Sequence, residues 1–312
     1  MVMKKLVYPI FLFAFSLTVL SCETVINPAL EKVEPVLVVD AWLTNKPGDQ
    51  TIILTQTQNY FDSSTPPPVT GAVVKVTDSN NKVFSFTEST TKSGYYIWKP
   101  VGSELIGPVG TTYRLSILAN GESYMAESRM GPTTPIDSIT FKKNEPTQQN
   151  PDFYRGQFFA KDVVGRGDTY WIRAYKNGIL LNKPNDINIA YDAGFDAGGN
   201  FFSVPGKMVD FIPPIRGRIN PNDTDANDEP LSPYVPGDSV YVEIHSITLA
   251  AFEYLTQVSQ QTNRPGGFSE LFARPIDNVS TNIFNDNPKG KKAVGFFNVA
   301  AVSGRGQRFK KN

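Results

Sequence analysis

The stretch "TTYRLSILANGESYMAES", residues 111–128, decides the fold class. Two extended runs, 111–119 and 122–128, flank Asn120-Gly121. Asn-Gly between such runs is a strong hairpin signal, because both residues tolerate the positive φ that a two-residue turn demands. Upstream, "AVVKVTD" (72–78) and "KVFSFTE" (82–88) flank the turn Ser79-Asn80-Asn81. Phe84 and Phe86 alternate there with Val83, Ser85 and Thr87, which sends both rings to one core. "VLVVDAWL" (36–43) and "TIILTQT" (51–57) precede them. About seven short strands in roughly 95 residues predict an immunoglobulin- or transthyretin-like β-sandwich over 36–130. The Cys–Trp–Cys framework of a true immunoglobulin domain is missing.

Downstream, "RMGPTTPIDS" (129–138) breaks any strand and reads as a domain boundary. A second β-rich domain, sandwich or barrel, is predicted over 136–304, with strands near 138–143, 153–161, 168–176, 200–204, 208–212, 238–247 and 293–302. The loop Arg216 to Pro236 carries four prolines and a cluster of acids. One helix is predicted over 248–263, with Leu249, Phe252, Leu255 and Val258 near helical spacing, Thr248 as its cap and "NRPGG" (263–267) as its stop. Its apolar face is expected to lie against the second domain. No internal repeat suggests a solenoid or propeller. With 24 glycines, 24 prolines and 12% aromatics, the composition suits a mostly β protein rich in turns.

The N-terminus sets the compartment. Lys4 and Lys5 precede an apolar run from Leu6 to Leu20, the pattern of a cleaved secretory signal over 1–21. A bilayer-spanning helix needs about 20 apolar residues, so a retained transmembrane anchor is disfavoured. Val19-Leu20-Ser21-Cys22 resembles the lipobox of bacterial lipoproteins, which implies a lipid on Cys22, the one cysteine of the chain. Residues 22–35 then read as a tether. Loss of the leader leaves 28 of the 30 basic residues against 30 acidic ones. That near-balance argues against nucleic acid as a partner.

Candidate chemistry is sparse. His245, the sole histidine, sits in "VYVEIHSI" (240–247) on a strand face with Tyr241 and Glu243, and reads as a partly exposed sheet residue. No Gly-x-Ser-x-Gly elbow supplies a nucleophile for it, and an acylated Cys22 supplies none either. No catalytic residue is assigned. A carboxylate pair for glycoside hydrolysis is not discernible among thirty acids. "NPNDTDANDEP" (220–230) offers Asp223, Asp225, Asn227, Asp228 and Glu229 as oxygen ligands for calcium, against the plainer reading of an acidic surface loop. It lacks the glycine and terminal Glu of an EF-hand. "DAGFDAGGN" (192–200) has spaced oxygens too, with glycines that suit a loop. Of the adjacent aromatics Tyr95-Tyr96, Tyr170-Trp171, Phe201-Phe202 and Phe296-Phe297, one of each pair should be core and the other free to stack on a sugar or a partner. "KGKK" (289–292) reads as an exposed turn, and 305–312 as a solvated basic tail.

In order, "VLVVDAWLTN", "ILTQTQNYF", "GAVVKVTD", "SGYY", "GTTYRLSIL", "GESYMAES", "FEYLTQVSQQ", "FSELFARPIDNVSTNIFND" and "AVGFFNVAAVS" resemble domain-of-unknown-function family 4249, lipoproteins of Bacteroidota. The resemblance implies a lipid-anchored outer-membrane protein, facing the cell surface, that accompanies a TonB-dependent transporter and helps capture an unknown small molecule or glycan. It defines no catalytic residues and no cofactor. An adhesin or scaffold, and a carboxylate-dependent glycan hydrolase, are the alternatives.

Overall fold

In the computed structural model the described residues are 34–59, 62, 64–143, 153–161, 163, 167–191, 214–221, 224, 226–227, 231–264 and 278–310. The leader, Cys22, most of the tether, the strands expected at 200–204 and 208–212, and the loop 192–200 lie outside them. The chain is mostly β, with one α-helix among the described residues.

The strands β1 (Leu37–Thr44), β2 (Gln50–Gln56), β3 (Val73–Asp78), β4 (Val83–Glu88), β5 (Tyr95–Trp98), β6 (Thr112–Ala119) and β7 (Glu122–Arg129) match the N-terminal strands expected from sequence. Asn120 and Gly121 both take positive φ, 52° and 79°, and pin the β6–β7 register at Ala119↔Glu122. Asp78 holds the β3–β4 turn by accepting from the Asn80 and Lys82 amides, each at 2.8 Å. Phe84 and Phe86 are both buried, as their alternation requires.

Two strands from the far end of the chain complete this sheet. Strand β15 (Phe284–Asn285) pairs with β7, and β16 (Ala293–Ala300) pairs with β1 in parallel, from Leu37↔Ala293 to Thr44↔Ala300. The hydrogen-bonded order β15-β7-β6-β3-β4-β5-β2-β1-β16 makes one nine-stranded sheet. Its two ends approach each other. The Val299 amide donates to Ser128 Oγ at 2.9 Å, and the Asn282 side chain donates to the carbonyls of Phe297 at 2.8 Å and Glu127 at 3.3 Å. The sheet is thus rolled nearly into a barrel. Where the sequence predicts a two-layer sandwich, the ladder runs on from β4 to β5 through two residue pairs, Thr87↔Ile97 and Glu88↔Tyr96. Its interior is an apolar core that includes Leu43, Leu54, Val76, Leu115, Ile117, Phe297 and Val299.

A second assembly stands beside it. It contains β8 (Ile136–Lys143), β9 (Tyr154–Lys161), β10 (Thr169–Lys176), β11 (Ile179–Leu180), β12 (Asn188–Tyr191), β13 (Pro214–Arg218), β14 (Ser239–Ile247) and β17 (Val302–Arg308). A three-stranded sheet, β13-β9-β8, and a five-stranded one, β11-β10-β14-β17 with β12 on β10, share a core around Phe158, Tyr170, Ile172, Val242, Ile244, Tyr234 and Phe309. Residues 35–312 form one compact unit, in which β15 and β16 pair with strands that precede the stretch 129–138.

Two expectations are corrected. Residues 305–308, expected within a basic tail over 305–312, form the end of β17, which pairs with β14 from Ser239↔Arg308 to His245↔Val302; their side chains are exposed, while Phe309 is buried. The Tyr241 ring covers Gly304 and Gly306, where a Cβ would leave it no room at 304, so glycine here serves packing inside a strand. The proline-rich loop also begins later than expected, because Pro214–Arg218 pairs with β9.

The helix α1 (Leu249–Thr262) is capped by Thr248, whose Oγ1 accepts from the Ala251 amide at 3.2 Å. Ala251 and Leu255 form its buried ridge, whereas Leu249, expected inside, is 49% exposed. The helix packs on both assemblies: Phe296 and Trp42 from the rolled sheet, Trp171 and Ile189 from the second.

Candidate functional site

Strand β14 is buried on both faces from Val242 to Ile247, while Tyr241 near its start is exposed. Val240, Val242 and Ile244 enter the core of the second assembly. Tyr241, Glu243 and His245 alternate with them and point the other way. Register places Trp171 opposite His245, Arg173 opposite Glu243, and Tyr175 opposite Tyr241 on β10. The outer face of β1 and the turn after it supply Lys46 and Trp42 to the same side.

His245 is therefore buried, 4% exposed, contrary to its reading as a partly exposed residue. A strand with an apolar and a polar face looks half-solvated in sequence, but here a second layer covers the polar face. His245 Nε2 lies 2.9 Å from Glu243 Oε2, and Tyr175 donates its hydroxyl to the same oxygen at 3.2 Å. Lys46 Nζ binds Glu243 Oε1. Burial pushes the Glu243 carboxyl up, but the hydrogen bonds from His245 and Lys46 outweigh it and bring the pKa down to about 2. Burial holds His245 below its usual range, with Glu243 opposing. Burial also works against the Lys46 ammonium, and Glu243 reverses it, so that pKa rises. At neutral pH the node is an ionised Glu243, a charged Lys46 and a neutral His245 donating Nε2–H. Three donors occupy the carboxylate. Among the described residues no hydroxyl or thiol hydrogen-bonds to His245.

Next to this node lies an aromatic cluster. Trp42 and Trp171 meet edge to face with centroids 5.0 Å apart. Phe296 stacks on Trp42 at 5.8 Å, and Tyr254 of α1 lies 4.8 Å from Phe296. Phe296 is buried, while Trp42, Trp171 and Tyr254 are half-buried and keep part of each ring in water. The Arg173 guanidinium sits 4.8 Å over Trp171. Asp40, two residues before Trp42 on the same face of β1, is exposed. The protein around Asp40 raises its pKa, with Arg173 pulling it down. Rings with an acid and a base at their rim bind flat apolar faces that carry hydroxyls at their edges.

The sequence offers Tyr170-Trp171 and Phe296-Phe297 only as pairs with one member free to stack, and marks neither Trp42 nor Tyr254, because nothing local brings β1, β10, β16 and α1 together. Both members of Phe296-Phe297 are buried, one on each face of β16. Phe201 and Phe202 lie outside the described residues, as do Asp223, Asp225, Asp228 and Glu229 of the suggested calcium loop; Asn227 is described and exposed. Among the described residues no group of three or more His, Cys, Asp or Glu side chains gathers to hold a metal. A cavity of about 90 Å³ at one end of the rolled sheet, lined by Pro35, Leu37, Gln56, Tyr124 and Lys291, is well below the roughly 300 Å³ of a small-molecule pocket.

The family model for a domain of unknown function, DUF4249, matches residues 23–305. The chain belongs to the DUF4249 family. Both the polar node and the aromatic cluster of this DUF4249 protein fall within the matched span. Among curated proteins none matches the chain in sequence. No helix among the described residues is long and apolar enough to cross a membrane.

Proposed function

We propose that this DUF4249 protein is a non-catalytic binding lipoprotein, anchored in the outer membrane through Cys22. In this reading it is an accessory subunit of a TonB-dependent transporter and helps capture a nutrient, a small molecule or glycan, at the cell surface. The half-open face of Trp42, Trp171 and Tyr254, rimmed by Asp40 and Arg173, carries the capture part: it can stack on a ring and hydrogen-bond its edge. The anchor rests on the leader and on Cys22, and the transporter on family context. The Glu243 node serves as a rigid support beneath the aromatic face, since its carboxylate is already occupied by three donors.

Purification of the tagged protein from mildly solubilised outer membranes tests the reading. Expected is a stoichiometric TonB-dependent transporter, together with an acylated N-terminal peptide starting at Cys22 by mass spectrometry. Recovery of the protein alone, over a range of detergents, favours the scaffold reading. Hydrolysis of glycans by the purified chain, lost on changing one acid pair, favours the hydrolase.

A further inference from the structure

One end of the rolled sheet is set apart from the other. The described chain enters there: the Val36 amide donates to Thr57 Oγ1 at 3.0 Å, and Pro35 lies beside Asn120, Tyr124 and Lys291. Because β16 runs parallel to β1, the turn that precedes it arrives at that same end. This turn carries Lys289, Lys291 and Lys292, all exposed. Asp286 and Glu122 lie beside this turn, Asp286 accepting from Ser123 Oγ at 2.6 Å and Glu122 from Asn285 Nδ2 at 2.9 Å.

Four exposed apolar side chains stand on the outer face of the sheet next to these lysines, with Ser116, Ser123 and Lys75 between and beside them. Phe284 is paired with Met125, and Leu118 with Val73. Met125 faces Ser116 and Leu118 faces Ser123, so the two pairs are diagonal neighbours. Their exposures are 67% for Phe284, 42% for Met125, 51% for Leu118 and 49% for Val73. Further along the same strands the outer face turns charged, with Arg114 bound to Glu127 at 2.7 Å. A group of exposed apolar side chains with lysines at its margin, at the end where the tether joins, suits a surface that rests in the headgroup layer.

We propose that this end of the rolled sheet is a membrane-contact surface. Lys289, Lys291 and Lys292 meet the phosphates of lipid headgroups, and Phe284, Met125, Leu118 and Val73 settle into the interface. The inference rests on the lipid-anchor reading for the way the chain is delivered. The fourteen residues 22–35 can span no more than about 50 Å even at full extension, so a lipid on Cys22 keeps this end within that reach of the bilayer.

The test leaves acylation out. The chain from residue 22 onward, carrying Cys22→Ser, is sedimented with vesicles of phosphatidylcholine alone or mixed with phosphatidylglycerol. Expected is binding to the mixed vesicles that weakens with salt. Changing all three lysines to Gln should lower it on the order of 100-fold at low ionic strength, about fivefold per lysine. Phe284→Ser with Met125→Ser should lower it by a part that salt does not restore. Unchanged thermal melting shows that each variant is folded. Equal partitioning of the parent and the lysine variant, displacement by millimolar inorganic phosphate, or affinity for solubilised outer-membrane proteins without affinity for vesicles each overturns the proposal. A native N-terminal peptide without acyl chains sinks the anchor instead, and leaves the vesicle result standing.

Discussion

The interior of the rolled sheet and the layer between the two assemblies both bury side chains, yet they are built differently. Inside the sheet, Leu43, Leu54, Val76, Leu115, Ile117, Phe297 and Val299 meet no charge. The layer outside holds Glu243 and His245 at 1% and 4% exposure beside Trp42, Trp171 and Phe296. An apolar core stabilises whatever fills its volume. A polar group buried in a layer stabilises one arrangement, since any slip leaves a donor or acceptor unmatched. The first region supplies stability; the second fixes how the two assemblies meet, and with it the spacing of the aromatic face.

The largest effect should come from the apolar side. Phe297→Ala empties a fully buried site in the rolled core and should cost about 3–5 kcal/mol, read by urea unfolding. Phe296→Ala, one residue away on the opposite face of β16, should cost less and also weaken ligand binding at Trp42. Equal costs without a binding change would erase the contrast. Next, Glu243→Ala should cost about 2–3 kcal/mol, the low side for a buried pair because Lys46 remains 44% exposed and can turn to water. It should broaden the unfolding transition, as the assemblies lose their common fastening.

Acid should act on the layer and spare the core. His245 has a folded pKa below its ordinary 6.5, so unfolded chains take up that proton first and stability begins to fall as pH drops below about 6.5. Glu243, at about 2 against an ordinary 4.5, adds a second loss between those values, with its contribution fully present above 4.5. Melting followed from pH 8 to pH 3 should show both steps, and Glu243→Gln should remove the lower one. The smallest effect belongs to the surface: Phe284→Ser should change stability by less than about 0.5 kcal/mol while weakening vesicle binding.

The same contrast separates what sequence discloses from what it hides. The hairpins were legible because Asn120-Gly121 and Asp78 act within a few residues. Helix α1 was legible through Thr248, although its buried ridge centres on Ala251 and Leu255 and leaves Leu249 outside. The closure by β15 and β16 was hidden, because pairing Leu37 with Ala293 leaves no local mark on either strand. Strand β17 was masked by Gly304 and Gly306, whose fitness shows only under the Tyr241 ring. Of the site, the pairs Tyr170-Trp171 and Phe296-Phe297 stand out in the sequence, but not which member of each faces the cluster, and both Phe296 and Phe297 are buried. The burial of His245 did not, since Tyr241, Glu243 and His245 look like a solvent face until another sheet covers them.

The parallel union of β1 with β16 carries a consequence for biogenesis. A chain synthesised from its N-terminus presents β1 early, while its neighbour lies some 250 residues behind. Until almost the whole polypeptide has emerged, that strand keeps a bare edge able to pair with any other extended chain. Holding the edge apart from other chains during that interval is therefore a demand that the topology itself places on whatever escorts the nascent protein.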